Sequence, residues 1–148
     1  MYTALDTHDE PLSALYGAEV VYCPGTAQHS TRVSYMCGLL AEALGLGPAE
    51  TETARWAGVL HDIGKLSVPV EILHKPGRLT AADWEAVKKH PAAGAELVLG
   101  ISARLAPVAA AIRSHHERWD GSGYPDGLDG HDIPLLGGSP QSVMCSTP

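Results

Sequence analysis

Apolar residues recur three and four positions apart along most of this chain. That period, broken at intervals by glycine and proline, admits little besides a bundle of helices. Over 26–45, TAQHSTRVSYMCGLLAEALG, the residues Val33, Met36, Leu39, Leu40 and Leu44 fall on one helical face, and Gly45, Gly47 and Pro48 stop the run. PAETETARWAGVLHDIG predicts a second helix, acidic in its first turn where the helix dipole favours negative charge, and closed by Gly64. Pro69, Pro76 and Gly77 make 66–79 a loop with one short turn. Thr80, with Asp83 three residues on, predicts the capped start of AADWEAVKKH; Pro91 interrupts that helix just after His90, and AAGAELVLG resumes it. ISARLAPVAAAIRSHHE reads as a further helix with Pro107 in its first turns, followed by the glycine- and proline-rich loop WDGSGYPDGLDGHDIP. The expected fold is all-α.

A chain of 148 residues suits one domain with a single core. The net charge of −7 argues against a partner such as a nucleic-acid polymer or an anionic membrane, either of which calls for a basic face. A small anionic ligand is compatible with it, because bound cations reverse the local sign inside an acidic protein. No apolar run approaches the ~20 residues that span a bilayer. The opening MYTALDTHDEPLSALYG lacks the basic region of a secretory signal. Cys23, Cys37 and Cys145 are odd in number and show no CxxC spacing, so reduced thiols and a cytoplasmic location are expected.

Histidine stands out in the composition, with eight residues against no phenylalanine. The pair His61-Asp62 follows the apolar run WAGVL directly, where neither a solvated nor a buried helix face has a use for it. His29 falls in the first turn of the first long helix, His90 at the end of the helix that begins at Thr80, and His115-His116 just before the glycine-rich loop. Any one of them alone is ordinarily a cap or a surface residue. Together they bring ligating side chains to helix ends that can converge at one end of a bundle. Adjacent helical residues point about 100° apart, so His115 and His116 are expected to serve two neighbouring metals, or one metal and its surroundings. Paired metals are the usual apparatus of phosphoester hydrolysis. His8, His74 and His131 sit in polar, loop-like stretches and are read as ordinary surface residues.

The stretch HDIGKLSVPVEILHKPGRLTAADWEAVKKHPAAGAELV, followed by IRSHHERWDGSGYPDGLDGHDIP, resembles the HD-GYP family of bacterial phosphodiesterases. His61-Asp62 matches the pair, and Gly123-Tyr124-Pro125 the run, that name the family. The resemblance extends from about His29 to Leu136. It implies an HD-superfamily helical bundle and a phosphodiesterase that hydrolyses cyclic di-GMP to pGpG or GMP. It also implies a centre of divalent transition metals, iron or manganese, with two expected here. By motif, His29, His61, Asp62, His90, His115 and His116 are the implied metal ligands. Asp62 and Lys65 are the implied catalytic groups, while Lys65, Gly123, Tyr124 and Pro125 are the implied substrate contacts. Diguanylate cyclase or receiver domains are the implied partners.

The residue types suit that chemistry. Imidazoles and a carboxylate fit iron, manganese or zinc, and a lysine is a compact charge for a phosphate oxygen. Glycines 121, 123 and 127 allow the loop backbone a close approach. Two departures stand beside the matches. Many family members carry a glutamate four residues before the first-helix histidine, and this chain has Gly25. After Ile133-Pro134 the family continues into a helix bearing a ligating aspartate and then phosphate-gripping cations, whereas Ile133 to Pro148 holds no Asp, Glu, Lys, Arg or His. The expected organisation is therefore an N-terminal segment over 1–25, an HD-GYP domain over 26–136 lacking its last helices, and a non-family tail over 137–148. Turnover well below that of a complete relative is expected with it. Two alternatives stay open: a non-catalytic module that binds a cyclic dinucleotide or a signalling protein, and another HD-superfamily nucleotide phosphohydrolase.

Overall fold

The computed structural model describes residues 10–23 and 25–137, so His8, Cys145 and the tail from 138 onward lie outside the described residues. Among the described residues seven α-helices follow one another: α1 (Glu10–Tyr22), α2 (Ala27–Ala43), α3 (Pro48–Leu60), α4 (Val70–Leu73), α5 (Ala81–Val87), α6 (His90–Ile101) and α7 (Ala106–Ser114). Short 3-10 turns occupy Ile63–Ser67, Ala103–Leu105 and Gly130–Asp132. Among the described residues there is no strand, only an isolated antiparallel bridge between Asp120 and Asp129. The all-α expectation holds.

Helix α3 is the axis of the bundle. Pro48 in its first turn has no backbone N–H to leave unpaired, and the Glu50 carboxylate accepts from the Gly47 N–H at 2.9 Å. From Trp56 to Leu60 every residue is buried. These side chains form one core with Leu12 of α1, Ile63 of the following turn, Ala95 and Val98 of α6, and Val108, Ala109, Ala111 and Ile112 of α7. The run WAGVL is thus the centre of the hydrophobic core, and His61-Asp62 emerges from its end.

The face that α2 buries is not the expected one. Met36, Leu39 and Leu44 are 63%, 46% and 42% exposed, while Ser30, Ser34, Gly38 and Ala41 are buried. The reason is close approach. A Cβ on Gly58 would sit 2.8 Å from the Ser34 Cα, and one on Gly38 would meet the Arg55 side chain at 2.5 Å. Bulky residues on this face would hold α2 and α3 apart, so small ones take it, and the Ser34 hydroxyl donates to the Arg55 carbonyl at 2.8 Å.

A second difference concerns His90. The helix starting at Thr80 ends at Val87, and His90 opens α6 with Pro91 in its first turn. Proline begins a helix here rather than interrupting one, because its fixed φ and missing N–H suit that position. The capping box at Thr80 forms as expected: Asp83 N–H donates to the Thr80 hydroxyl at 3.2 Å, and the Thr80 N–H donates to the Asp83 carboxylate at 2.7 Å.

Helix α1 was not expected from the apolar spacing. Its Tyr22 hydroxyl donates to the Val68 carbonyl at 3.0 Å, and Tyr16 donates to the Ala27 carbonyl at 3.2 Å, tying it to the 63–67 turn and to the start of α2. That turn also presses on α6. A Cβ on Gly64 would overlap the His90 carbonyl oxygen and lie 2.6 Å from the Gly94 nitrogen.

Gly64→Ala is therefore expected to destabilise the chain by about 2–4 kcal/mol, since neither backbone can yield without moving the other. Gly100→Ala, in α6 with nothing within 4 Å of its added Cβ, is expected to stabilise by about 0.4–1 kcal/mol. Denaturant unfolding of the two variants checks both signs.

Candidate metal centre

Three histidines are held by one device. His61 follows the last residue of α3, and its Nδ1 lies 2.8 Å from the Gly58 carbonyl. His90 and His115 repeat this, with Nδ1 2.7 Å from the carbonyls of Val87 and Ile112. A helix end leaves carbonyls without intrahelical partners, and an imidazole N–H three residues on satisfies one of them. A carbonyl only accepts, so the hydrogen-bond network assigns a hydrogen to Nδ1 of each ring and turns Nε2 inward, toward Asp62 in His61 and His90.

The inward nitrogens converge on Asp62. His61 Nε2 lies 3.3 Å from Asp62 Oδ2, His90 Nε2 lies 3.3 Å from Oδ1, and the Lys65 ammonium donates to Oδ2 at 2.7 Å. His90 Nε2 and His115 Nε2 are 3.3 Å apart. A nitrogen from each of His90, His115 and His116 falls within 4.8 Å of the others, a spread that one metal ion can draw together. His115 and His116 share this cluster, contrary to the expected splay. Helix α7 ends at Ser114, so the 100° rule does not govern the two residues beyond it. His29 stands at the rim, exposed, with its ring 5.4 Å from that of His61. His74 is exposed and His131 packs on Trp119, both outside the cluster.

The electrostatics are those of a site built for cations. Burial alone would push the Asp62 carboxyl up. Hydrogen bonds from His61 and His90, with the charges of His61 and Lys65, outweigh it and hold the group well below the usual carboxylate range. Burial pulls His61 down, but its hydrogen bond to Asp62 carries the net shift upward. Burial and the neighbouring His116 pull His115 down to about 3, and burial and His90 pull His116 down to about 4. Two neutral imidazoles with bare nitrogens beside a fixed carboxylate fit a divalent transition metal, whose ligands must be deprotonated. The contact between His90 Nε2 and His115 Nε2 fits the same reading: the neutral His115 presents a lone pair there, which meets a hydrogen on His90 Nε2 or a cation.

The loop over the centre is anchored by a residue that the motifs did not single out. Glu117 is fully buried, and its carboxylate accepts from the backbone N–H groups of Asp126, Gly127 and Leu128 at 2.7, 3.2 and 3.0 Å. Arg113 grips Asp126 through two hydrogen bonds of 2.6 and 2.7 Å. These ties lay Tyr124 on His116, ring on ring at 4.7 Å. Gly123 is needed against the chain itself, because a Cβ there would meet the backbone of 116–118 at 2.5 Å. Pro125 follows a cis peptide bond. An acid directly after a histidine pair was the available signal for Glu117.

His115 and His116 also give the metal-free chain an acid weakness. Each takes up a proton near pH 6.5 when unfolded, but only near pH 3 and pH 4 respectively when folded. Between those limits protons bind the unfolded chain more readily, so stability falls as pH falls. Asp62, held below its ordinary value of 3.8, adds to that fall at the acid end of the range, while the upward-shifted His61 acts above it. The unfolding temperature of the metal-free chain is expected to drop by about 5 °C or more from pH 7 to pH 4, and His115→Asn to flatten that drop. Calorimetry across this range checks it, and equal slopes in the two proteins contradict it.

Comparison with known proteins agrees with this geometry. The family model described as HD domain matches residues 20–137. The chain is 46% identical over 127 residues to the cyclic di-GMP phosphodiesterase response regulator RpfG of Xanthomonas campestris, covering 85% of this chain and 34% of that protein. It is 45% identical over 113 residues to a 3'3'-cGAMP-specific phosphodiesterase 2 of Vibrio cholerae, covering 76% and 22%. To a cyclic di-GMP phosphodiesterase of Thermotoga maritima it is 40% identical over 113 residues, covering 76% and 31%. The chain thus spans between about a fifth and a third of the length of these relatives. From the convergent histidines, the His61-Asp62 pair and this matched stretch, the chain belongs to the HD domain family, in its HD-GYP branch.

Proposed function

We propose that this domain hydrolyses a phosphodiester bond of a cyclic dinucleotide, with cyclic di-GMP as the first candidate. The observation that carries the reading is the convergence of His61, His90 and Lys65 on the buried Asp62, with His115 and His116 beside it. The names of the relatives support the substrate class, and two of them divide it between cyclic di-GMP and 3'3'-cGAMP. A substrate made and used inside bacteria suits a cytoplasmic chain, and no described helix is long and apolar enough to cross a membrane. The response-regulator relative supports a receiver domain as the controlling partner.

His29, His61, Asp62, His90, His115 and His116 would hold two divalent metals, iron or manganese. Bound there, such metals supply a hydroxide at neutral pH and neutralise the attacked phosphate. The remaining work falls to the chain. Asp62 keeps the imidazoles in register and stays ionised throughout the physiological range. Lys65 Nζ, now on Asp62, is partly exposed beside the centre and carries a phosphate oxygen as charge builds on it. Tyr124, stacked on His116 and held by the Glu117-anchored loop, offers a flat face to a purine base, with Gly123 and Pro125 shaping the approach. Hydrolysis adds the hydroxyl of water to phosphorus and returns a proton to the departing 3′ oxygen.

With manganese or iron(II) supplied, the chain is expected to linearise cyclic di-GMP or 3'3'-cGAMP, read by chromatography of the products. Asp62→Asn is expected to lower turnover at least ~100-fold together with metal content. Lys65→Ala is expected to weaken dinucleotide binding by about ten- to a hundredfold with metal content unchanged, as the loss of a charge-assisted hydrogen bond. Metal-loaded chain that binds the dinucleotide without cleaving it supports the binding-module reading instead.

A further inference from the structure

Glu19 has no place in the chemistry described so far. It lies on α1, one residue before the stretch that the HD domain model matches, and its side chain is buried, with 2% of the residue exposed. One carboxylate oxygen accepts from the Ser30 hydroxyl at a long 3.4 Å, and the other is buried with no hydrogen-bond partner among the described residues. Native folds pair nearly all buried polar atoms, and an unpaired carboxylate oxygen costs more than most. A purely structural acid here would be replaced by an apolar residue at a gain.

The position of Glu19 explains why it is kept. Ser30, its one hydrogen-bond partner, is the neighbour of His29. The charges that act on Glu19 are those of Asp62, His61 and Lys65. Its helix packs on the 63–67 turn that follows Asp62 and on α3, whose last residue His61 follows. A buried carboxylate with a bare oxygen therefore lies within electrostatic reach of Asp62, His61 and Lys65, and through Ser30 it neighbours His29, whose ring stands 5.4 Å from that of His61.

We propose that Glu19 supplies a carboxylate oxygen to a divalent transition metal held on the His29, His61 and Asp62 side of the centre. This rests on the reading of the centre as a metal site. Two imidazoles and two carboxylates form a donor set that manganese(II) and iron(II) accept. The cation neutralises the anionic oxygen that the fold leaves unpaired. No other described carboxylate is both buried and missing a partner on one oxygen.

The test is a titration with Mn²⁺ alone, followed by loss of the free-ion electron paramagnetic resonance signal, for the unmutated chain and Glu19→Gln. Gln keeps the shape and removes the charge. The unmutated chain is expected to bind two ions, and the variant to lose affinity for one of them by about tenfold or more while holding the other unchanged. Two ions bound with unaltered affinity by the variant overturn the proposal. An unmutated chain that binds no Mn²⁺ overturns the metal-site reading and the proposal with it. Should circular dichroism show that Glu19→Gln does not fold, the unmutated chain decides. Labelled with ¹³C at the glutamate carboxyl and titrated with Zn²⁺, its Glu19 resonance is expected to move on binding, and a resonance fixed through two equivalents overturns the proposal.

Discussion

The carboxylate of Asp62 is the contact on which the rest of the centre depends. It is buried, and it faces His61, His90 and Lys65, which arrive from the end of α3, the start of α6 and the intervening turn. Burial works against its charge, and the surrounding donors overcome burial. Such a group is stable only while its partners stay in place, since removing one of them leaves a desolvated charge. The core is arranged to keep them there. Trp56 to Leu60 fill the middle of the bundle immediately before His61, so the candidate ligand pair His61-Asp62 is delivered by the most deeply packed of the described segments.

Close packing then sets the positions of the other candidate ligands. Small residues let α2 lie against α3, which brings His29 beside His61. Gly64 lets the 63–67 turn lie on the start of α6, which brings His90 to Asp62. Glu117 ties the loop so that Tyr124 covers His116. At three helix ends an imidazole N–H occupies a carbonyl that the helix leaves open, and the opposite nitrogen is aimed inward as a consequence. The centre is thus a by-product of how these helices terminate.

Much of this was legible in the sequence. The helices from Ala27 onward follow from apolar spacing and from glycine and proline stops, and histidines placed at several helix ends already imply convergence at one end of a bundle. Three things were not legible. The buried face of α2 is made of Ser30, Ser34, Gly38 and Ala41, and apolar periodicity is blind to small residues that serve close approach. Helix α1 spreads its apolar residues around its circumference, so no stripe announces it, and its buried Glu19 looks like any surface acid. Glu117 was hidden for a related reason, since a glutamate beside two histidines gives no sign that its partners are backbone N–H groups nine to eleven residues on.

The most direct measurement is anomalous diffraction at the manganese edge from crystals of the manganese-loaded chain. A centre organised by Asp62 predicts a peak within bonding reach, roughly 2.0–2.6 Å, of an Asp62 oxygen, with histidine nitrogens among His61, His90, His115 and His116 completing its surroundings. Manganese found only elsewhere, with Asp62 still paired to Lys65 and the imidazoles, would contradict it.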